Sequence, residues 1–292
     1  MAGYLSYRLV ALLSRALPRY FAYFCGIRLA DTFFFAKKWE REAVMRNLKQ
    51  VYSFRGAEVS EHFLRQLARK AFQHFGKYLV DFFRFHSLSR QEAVQLVAIE
   101  NRHHLHQALE RGRGVVAVTA HFGNWEMGGS VLHAMGYSIH AVFLPMATPR
   151  LDRLFLRQRV QRGIELIPVG HTTRLLRILR DGHIVALLGD RDLAGKSARV
   201  PFFGREAELP RGPARLAMIS GAALLPSFIY REPHDAFVLR FHRPLWPESH
   251  RDEQRLLEFT AAAMEREISE RPFQWFIFED FWDDARRRKK EF

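Results

Sequence analysis

The chain has 292 residues, 48% of them hydrophobic, so it can bury a substantial core in one or two domains. Its 26 phenylalanines and 13% aromatic content exclude a disordered chain, and a single cysteine, Cys25, excludes an intrachain disulfide or a cysteine metal cluster. Lys and Arg total 45 against 31 Asp and Glu, a net +14 that calls for an anionic partner; nucleic acid and an anionic membrane leaflet both satisfy it, and charge alone does not choose.

Arg8, Arg15, Arg19 and Arg28 interrupt the apolar amino terminus, so no stretch there approaches the roughly 20 residues a bilayer requires. No arginine-free apolar run followed by a small-residue site marks a cleaved signal either. Residues 4–17 project as a helix with Arg8 and Arg15 nearly in line and the leucines on the opposing side, and Pro18 stops it. Tyr20, Phe21, Tyr23, Phe24 and Phe33 to Phe35 follow. Basic residues mixed with aromatic ones fit an interfacial anchor, and an amphipathic helix docked on its own domain fits equally well. Cys25 reads as a small apolar residue of a reducing compartment.

Ser60 caps a predicted helix running to about Phe85, and Ser89 with Glu92 forms a capping box that opens another through Val97. The first hundred residues thus read as a helical, membrane-associating region. From Gly114 the texture changes to short β-type runs at 115–120, 138–144, 164–169 and 183–189, separated by helical stretches. Runs at 223–230 and 236–244 read as an antiparallel or mixed edge, and a last helix covers about 251–270. The fold class is α/β, a mostly parallel or mixed sheet flanked by helices, and residues 1–292 form one unit with its catalytic body at 101–292.

The segment at 115–130, VVAVTAHFGNWEMGGS, is a strand, a turn and a helix start. His121 falls just past the strand, Gly123 permits the turn, Asn124 is placed to cap, and Glu126 lies in the first helical turn. In such a pair the carboxylate fixes the imidazole tautomer while the other ring nitrogen takes a proton from a hydroxyl. His121 is the one histidine of 14 with an acid five positions later, and it stands where open α/β sheets place their sites. Spacing alone also admits a purely structural bond between the two. His103, His104 and His106 lack paired ligand spacing, and no nucleophile elbow, phosphate loop, zinc-protease motif or dinucleotide fingerprint occurs.

The segment HFGNWE resembles the H-x4-D/E block of bacterial acyltransferases of the late lipid A type, a group that includes the phosphatidylinositol mannoside acyltransferases. RQRVQRGIELIPV, with Arg159 four residues before Gly163, resembles a second block; residues 189–217, with Asp190, Gly212 and Pro213, resemble a third, and REAVMRNL at 41–48 a fourth. The resemblance covers most of the chain. It implies direct transfer of an acyl chain from an acyl carrier protein or coenzyme A thioester to a hydroxyl of a glycolipid, at the cytosolic face of the inner membrane. His121 is then the base and Glu126 its support, with Asn124, Arg159 and Asp190 on the substrate; Arg191 and Arg211 fit bidentate phosphate contacts of the substrate and solvated loop charges equally well; no metal or tightly held cofactor is required, and no nucleic acid is a partner. A lysophospholipid or glycerolipid acyltransferase shares the His and acid spacing, and a basic protein that only coats membranes shares the charge.

Overall fold

The computed structural model describes residues 2–85, 89–145, 148–192, 195–247 and 252–283. Four helices come first: α1 (Ala2–Ala16), α2 (Arg19–Ala36), α3 (Lys38–Phe54) and α4 (Glu61–Arg84). Pro18 ends the first and occupies the N-cap of the second, a position where its missing N–H costs nothing. Ser60 caps α4, its hydroxyl accepting from the Phe63 amide. Ser89 and Glu92 close the expected capping box at the start of α5 (Arg90–Leu96).

The predicted extension of that helix stops one residue earlier, because Val97 opens strand β1 (Val97–Glu100). Val97 and Ile99 are β-branched, and a neighbouring strand offers them ladder partners that one more helical residue would forgo. Beyond lie α6 (Arg102–Glu110), β2 (Val115–Thr119), α7 (Trp125–Ala134), β3 (Ile139–Phe143), α8 (Pro149–Val160), β4 (Glu165–Pro168), α9 (Thr172–Arg180) and β5 (Ile184–Leu188). The chain continues through β6 (Ser197–Phe202), β7 (Arg205–Pro210), α10 (Gly212–Ser220), β8 (Ala223–Arg231), β9 (Phe237–Phe241) and α11 (Glu253–Glu270).

The main sheet has the order β1-β9-β8-β2-β5-β3-β4. Strands β8, β2, β5, β3 and β4 run parallel, and β9 reverses against β8, so the mixed character expected of the last two strands is present. They do not form the edge, however: β9 is covered by β1, pairing in parallel from Val97 opposite Phe237 to Glu100 opposite Arg240. The hairpin of β6 and β7 stands apart as a two-stranded sheet.

Burial on both faces explains why the strands read as continuous apolar runs instead of alternating ones. Val116, Val118, Val185 and Leu224 pack on one side with Leu175 and Leu179 of α9, Ala214 and Ala217 of α10, and Leu256 and Met264 of α11. Val115, Ala117, Ile184 and Leu225 pack on the other with Leu105 of α6 and Met127, Val131 and Leu132 of α7.

Within the helical region α2 lies against α4 at close range. A Cβ on Gly76 would stand 2.6 Å from the Gly26 carbonyl oxygen, so the two backbones touch where no side chain intervenes. Over residues 7–16 of α1 Val10 and Ser14 are buried, while Leu9 and Leu12 are exposed beside Arg8. The leucines therefore do not all dock inward opposite the arginines; part of the apolar arc faces outward. Among the described residues no helix is long and apolar enough to cross a membrane.

Candidate active site

Strands β2 and β5 are parallel neighbours, with Val118 opposite Leu187 and Thr119 opposite Leu188. The ladder runs one step further through Gly189, whose amide donates to the Thr119 carbonyl at 2.7 Å. His121 and Asp190 each lie two residues past the end of their strand, so the register alone brings them together at the carboxyl edge of the sheet.

Asp190 holds His121 twice. Its Oδ1 is 2.8 Å from His121 Nδ1, and its Oδ2 accepts from the His121 backbone amide at 2.9 Å. The indole Nε1–H of Trp275 donates to the same Oδ2 at 3.1 Å. The carboxylate is fully buried, while the His121 side chain retains 16% of its exposure. Burial pushes the Asp190 carboxyl up, but the His121 imidazole, its two donors and Trp275 together more than offset this and hold it below the ordinary carboxylate range. With Nδ1 engaged, Nε2 is the ring nitrogen left to take a proton.

The turn that carries His121 is clamped by the chain's last segment. The Phe276 amide donates to the His121 carbonyl at 2.8 Å, and the Gly123 amide to the Gln274 carbonyl at 2.9 Å. Gly123 has φ +60°, and a Cβ there would stand 1.9 Å from the Ile229 carbonyl oxygen, which leaves glycine as the residue that fits. Asn124 caps α7 as expected, its Oδ1 accepting from the Met127 amide at 3.3 Å, and its Nδ2 donates to Asp81 Oδ2 at 3.2 Å. Both ends of that side chain are thus committed to structure, which argues against the substrate contact expected of it.

Glu126 takes a different place from the one its spacing suggested. The carboxylate on His121 is that of Asp190; Glu126 Oε1 instead accepts from Arg159 Nε at 2.9 Å and from Nη2 at 2.6 Å. Glu126 is the second residue of α7, and the helical turn after Trp125 carries it toward α8, while Trp125 itself stands beside His121 with ring centroids 5.4 Å apart. Glu126 and Arg159 form a largely buried ion pair next to the site, so Arg159 is not free to serve a substrate or an oxyanion on its own. Gly163, four residues on, has φ +73°, and a Cβ there would overlap the His133 ring at 2.1 Å; the glycine lets the end of α8 close onto α7.

The remaining expected contacts point elsewhere. Arg191 adjoins Asp190 in sequence and pairs with Glu279 at 2.8 Å on the solvent side. Arg211 precedes α10 and is held by Glu253 of α11 at 2.5 and 3.0 Å, an attachment between two helices that shares no partner with His121.

Residues the sequence did not single out complete the surroundings. Tyr78 of α4 stacks on Trp125 with centroids 4.4 Å apart, and Phe75 and Phe276 close on Tyr78 at 5.5 and 6.0 Å. Burial first, then the Glu126 carboxylate, raises the Tyr78 phenol well above its ordinary range, so it stays neutral. Below this wall Asp81 is completely buried; it receives the Tyr23 hydroxyl at 2.5 Å and pairs with Arg231 of β8. Asp81 therefore ties α2, α4, β8 and the Asn124 turn together.

A base on an adjacent buried carboxylate, beside an aromatic wall, can be compared with known proteins. The family profile described as bacterial lipid A biosynthesis acyltransferase matches residues 3–283. The chain belongs to this family. Among relatives of the lipid A acyltransferase family, a phosphatidylinositol mannoside acyltransferase of Mycolicibacterium smegmatis is 28% identical over 287 residues, covering 95% of this chain and 91% of that protein. A phosphatidylinositol mannoside acyltransferase of Mycobacterium tuberculosis is 30% identical over 228 residues, 75% of this chain and 69% of its own. The lipid A biosynthesis palmitoleoyltransferase of Escherichia coli is 26% identical over 179 residues, 61% and 58% of the two chains. The protein is an acyltransferase, and the acyltransferase resemblance seen in its motifs is confirmed.

Proposed function

We propose that the enzyme transfers a fatty acyl chain from a thioester of acyl carrier protein or coenzyme A to a hydroxyl of a glycolipid, at the cytosolic face of the inner membrane. The observation that carries this reading is the pairing of His121 Nδ1 with buried Asp190, which leaves Nε2 as the base on a partly exposed ring beside Trp125. The names of the relatives, which acylate lipid A or phosphatidylinositol mannosides, supply the acceptor class.

In the transfer, Nε2 removes the hydroxyl proton as the acceptor oxygen attacks the thioester carbonyl. The tetrahedral intermediate collapses with cleavage of the C–S bond, and the imidazolium returns the proton to the departing sulfur. Asp190 keeps Nδ1 protonated and stabilises the transient cation. Helix α7 begins four residues after His121, so its positively polarised end adjoins the place where the oxyanion develops. The wall of Trp125, Tyr78, Phe75 and Phe276 offers the acyl chain an apolar neighbour.

The test incubates purified enzyme with both thioesters and total membrane lipid and identifies the product by mass. His121→Ala should lower turnover by about two to four orders of magnitude while the melting temperature holds. Full turnover in the folded variant refutes the role of His121, and a product on glycerolipid alone refutes the glycolipid acceptor.

A further inference from the structure

The positive charge of this chain is unevenly spread. Residues 149–180, which form α8, β4 and α9, contain eight arginines and two acids, Asp152 and Glu165, so 32 of the 292 residues carry a net +6 of the chain's +14. No lysine occurs among them. Arginine is the cation whose planar fork meets a carboxylate or phosphate with two parallel hydrogen bonds.

Arg159 and Arg162 are turned into the protein, while Arg150, Arg153, Arg157, Arg174, Arg177 and Arg180 are exposed. Of these six, Arg174 pairs with Glu165, and Arg153 donates to the Pro149 carbonyl. Among the described residues no carboxylate pairs with Arg150, Arg153, Arg157, Arg177 or Arg180. At 100° per residue Arg150, Arg153 and Arg157 fall within an arc of about 60°, a row about 10 Å long on the outside of α8. On the other side of the same helix Phe155 is buried and Arg159 meets Glu126 beside the site.

The second group borders a cleft of about 530 Å³, lined by Gly170, Thr172, Thr173, Arg174 and Arg177 among others. Strand register sets its height. Pro168 lies opposite Phe143, Ala141 opposite Ala186 and Leu188 opposite Thr119, so the residues that follow β4 emerge level with His121. Three strand spacings, about 14 Å, separate the two positions along the carboxyl edge of the sheet.

Such a surface calls for an anionic partner, and the stretch itself narrows the class. Phe155 is its one Phe, Tyr or Trp, so the exposed arginines stand without the rings that accompany cations at a bilayer or stack on nucleobases. Coenzyme A carries its phosphates on a single nucleotide, which a concave site holds; the cleft would take it and leave the convex row on α8 unmatched. A protein with an acidic face matches both.

We propose that the outer sides of α8 and α9 dock an acidic carrier protein that presents the thioester, with the phosphate of its pantetheine arm against Arg174 and Arg177. That arm runs about 13 bonds from phosphorus to sulfur, about 16 Å at the reach of an extended peptide, which spans the distance from cleft to His121. The proposal rests on the acyl-transfer reading and narrows its donor to the protein-bound thioester.

The test is fluorescence anisotropy of labelled holo acyl carrier protein, without acyl chain or acceptor, titrated with full-length enzyme. Wild type should bind, more weakly in high salt. Arg153→Glu/Arg157→Glu should lose at least about tenfold in affinity. Arg255→Glu/Arg266→Glu, the same charge change on exposed arginines of α11, should bind as wild type does. Both variants should melt at the wild-type temperature. Undiminished affinity in the α8 variant, an equal loss in the α11 variant, or a wild type that binds labelled coenzyme A but no carrier each overturns the proposal. A wild type that binds the carrier as described yet forms no product from its acylated form refutes the acyl-transfer reading and leaves the docking surface standing.

Discussion

Asp190→Asn separates the two carboxylates that compete for the role of His121's partner. Three N–H donors converge on the Asp190 oxygens, from His121 Nδ1, the His121 backbone and Trp275. An amide offers one accepting oxygen and an NH2 group, so at least one donor faces another donor, and the imidazole is driven toward the tautomer with its proton on Nε2. That nitrogen is then blocked as a base. The charge lost matters as well. With charge centres about 4 Å apart and an effective dielectric near 20, the carboxylate stabilises the imidazolium by about 4 kcal/mol. At about 1.4 kcal/mol per tenfold, turnover should fall about 10³-fold. The assay is single-turnover acyl transfer from a radiolabelled thioester, with thermal melting as the control for folding. Should Asp190→Asn run within a few fold of wild type while remaining folded, the pairing described above is not what activates the histidine.

Glu126→Gln strips the counterion from a largely buried Arg159 and should cost about 2–3 kcal/mol, seen as a lower urea midpoint. Adding Arg159→Met should recover most of that stability; a further drop would show that the pair does more than satisfy itself. Gly123→Ala places a methyl group on the Ile229 carbonyl in a backbone region that alanine avoids, and should destabilise by about 3 kcal/mol or more with loss of turnover. His74 is held down to about 3 by burial and by Arg231, Lys77 and Lys70, against 6.5 in the unfolded chain. The unfolded chain alone takes up this proton as pH falls below 6.5, so stability drops across that range, by up to about 2 kcal/mol near pH 5. His74→Leu should flatten the dependence of the urea midpoint on pH between about 7 and 5, and an unchanged slope would assign the acid sensitivity elsewhere.

The strands of the main sheet were legible because burial on both faces writes continuous apolar runs into the sequence, and His121 was legible because it follows one of them. Its partner was legible in principle too: Asp190 stands two residues past β5 just as His121 does past β2, and parallel neighbours in register make equal offsets meet. The local spacing drew attention to Glu126 instead, since a motif counts residues along one segment and strand adjacency is a long-range property. Strand β1 was hidden by its four residues, too few for a period to show. The hairpin of β6 and β7 did alternate, with Ala198, Val200 and Phe202 facing Ala207 and Leu209 inward, but it lay inside the 189–217 block, which was read for its motif resemblance. Nothing local announced Trp275, Tyr78 or Asp81, which reach the site only because the helical region and the chain's late segment fold onto the sheet.

The clamp formed by Gln274, Trp275 and Phe276 fixes when the enzyme becomes competent during its own synthesis. The histidine turn leaves the ribosome about 150 residues before the segment that pins it. Until Trp275 has emerged, Asp190 lacks its indole donor and the turn is free on one side, so an unfinished chain carries the reactive side chain without the frame that makes it a base. A nascent polypeptide stalled short of that point should be inert toward thioesters, and activity should switch on as one event when the late segment docks.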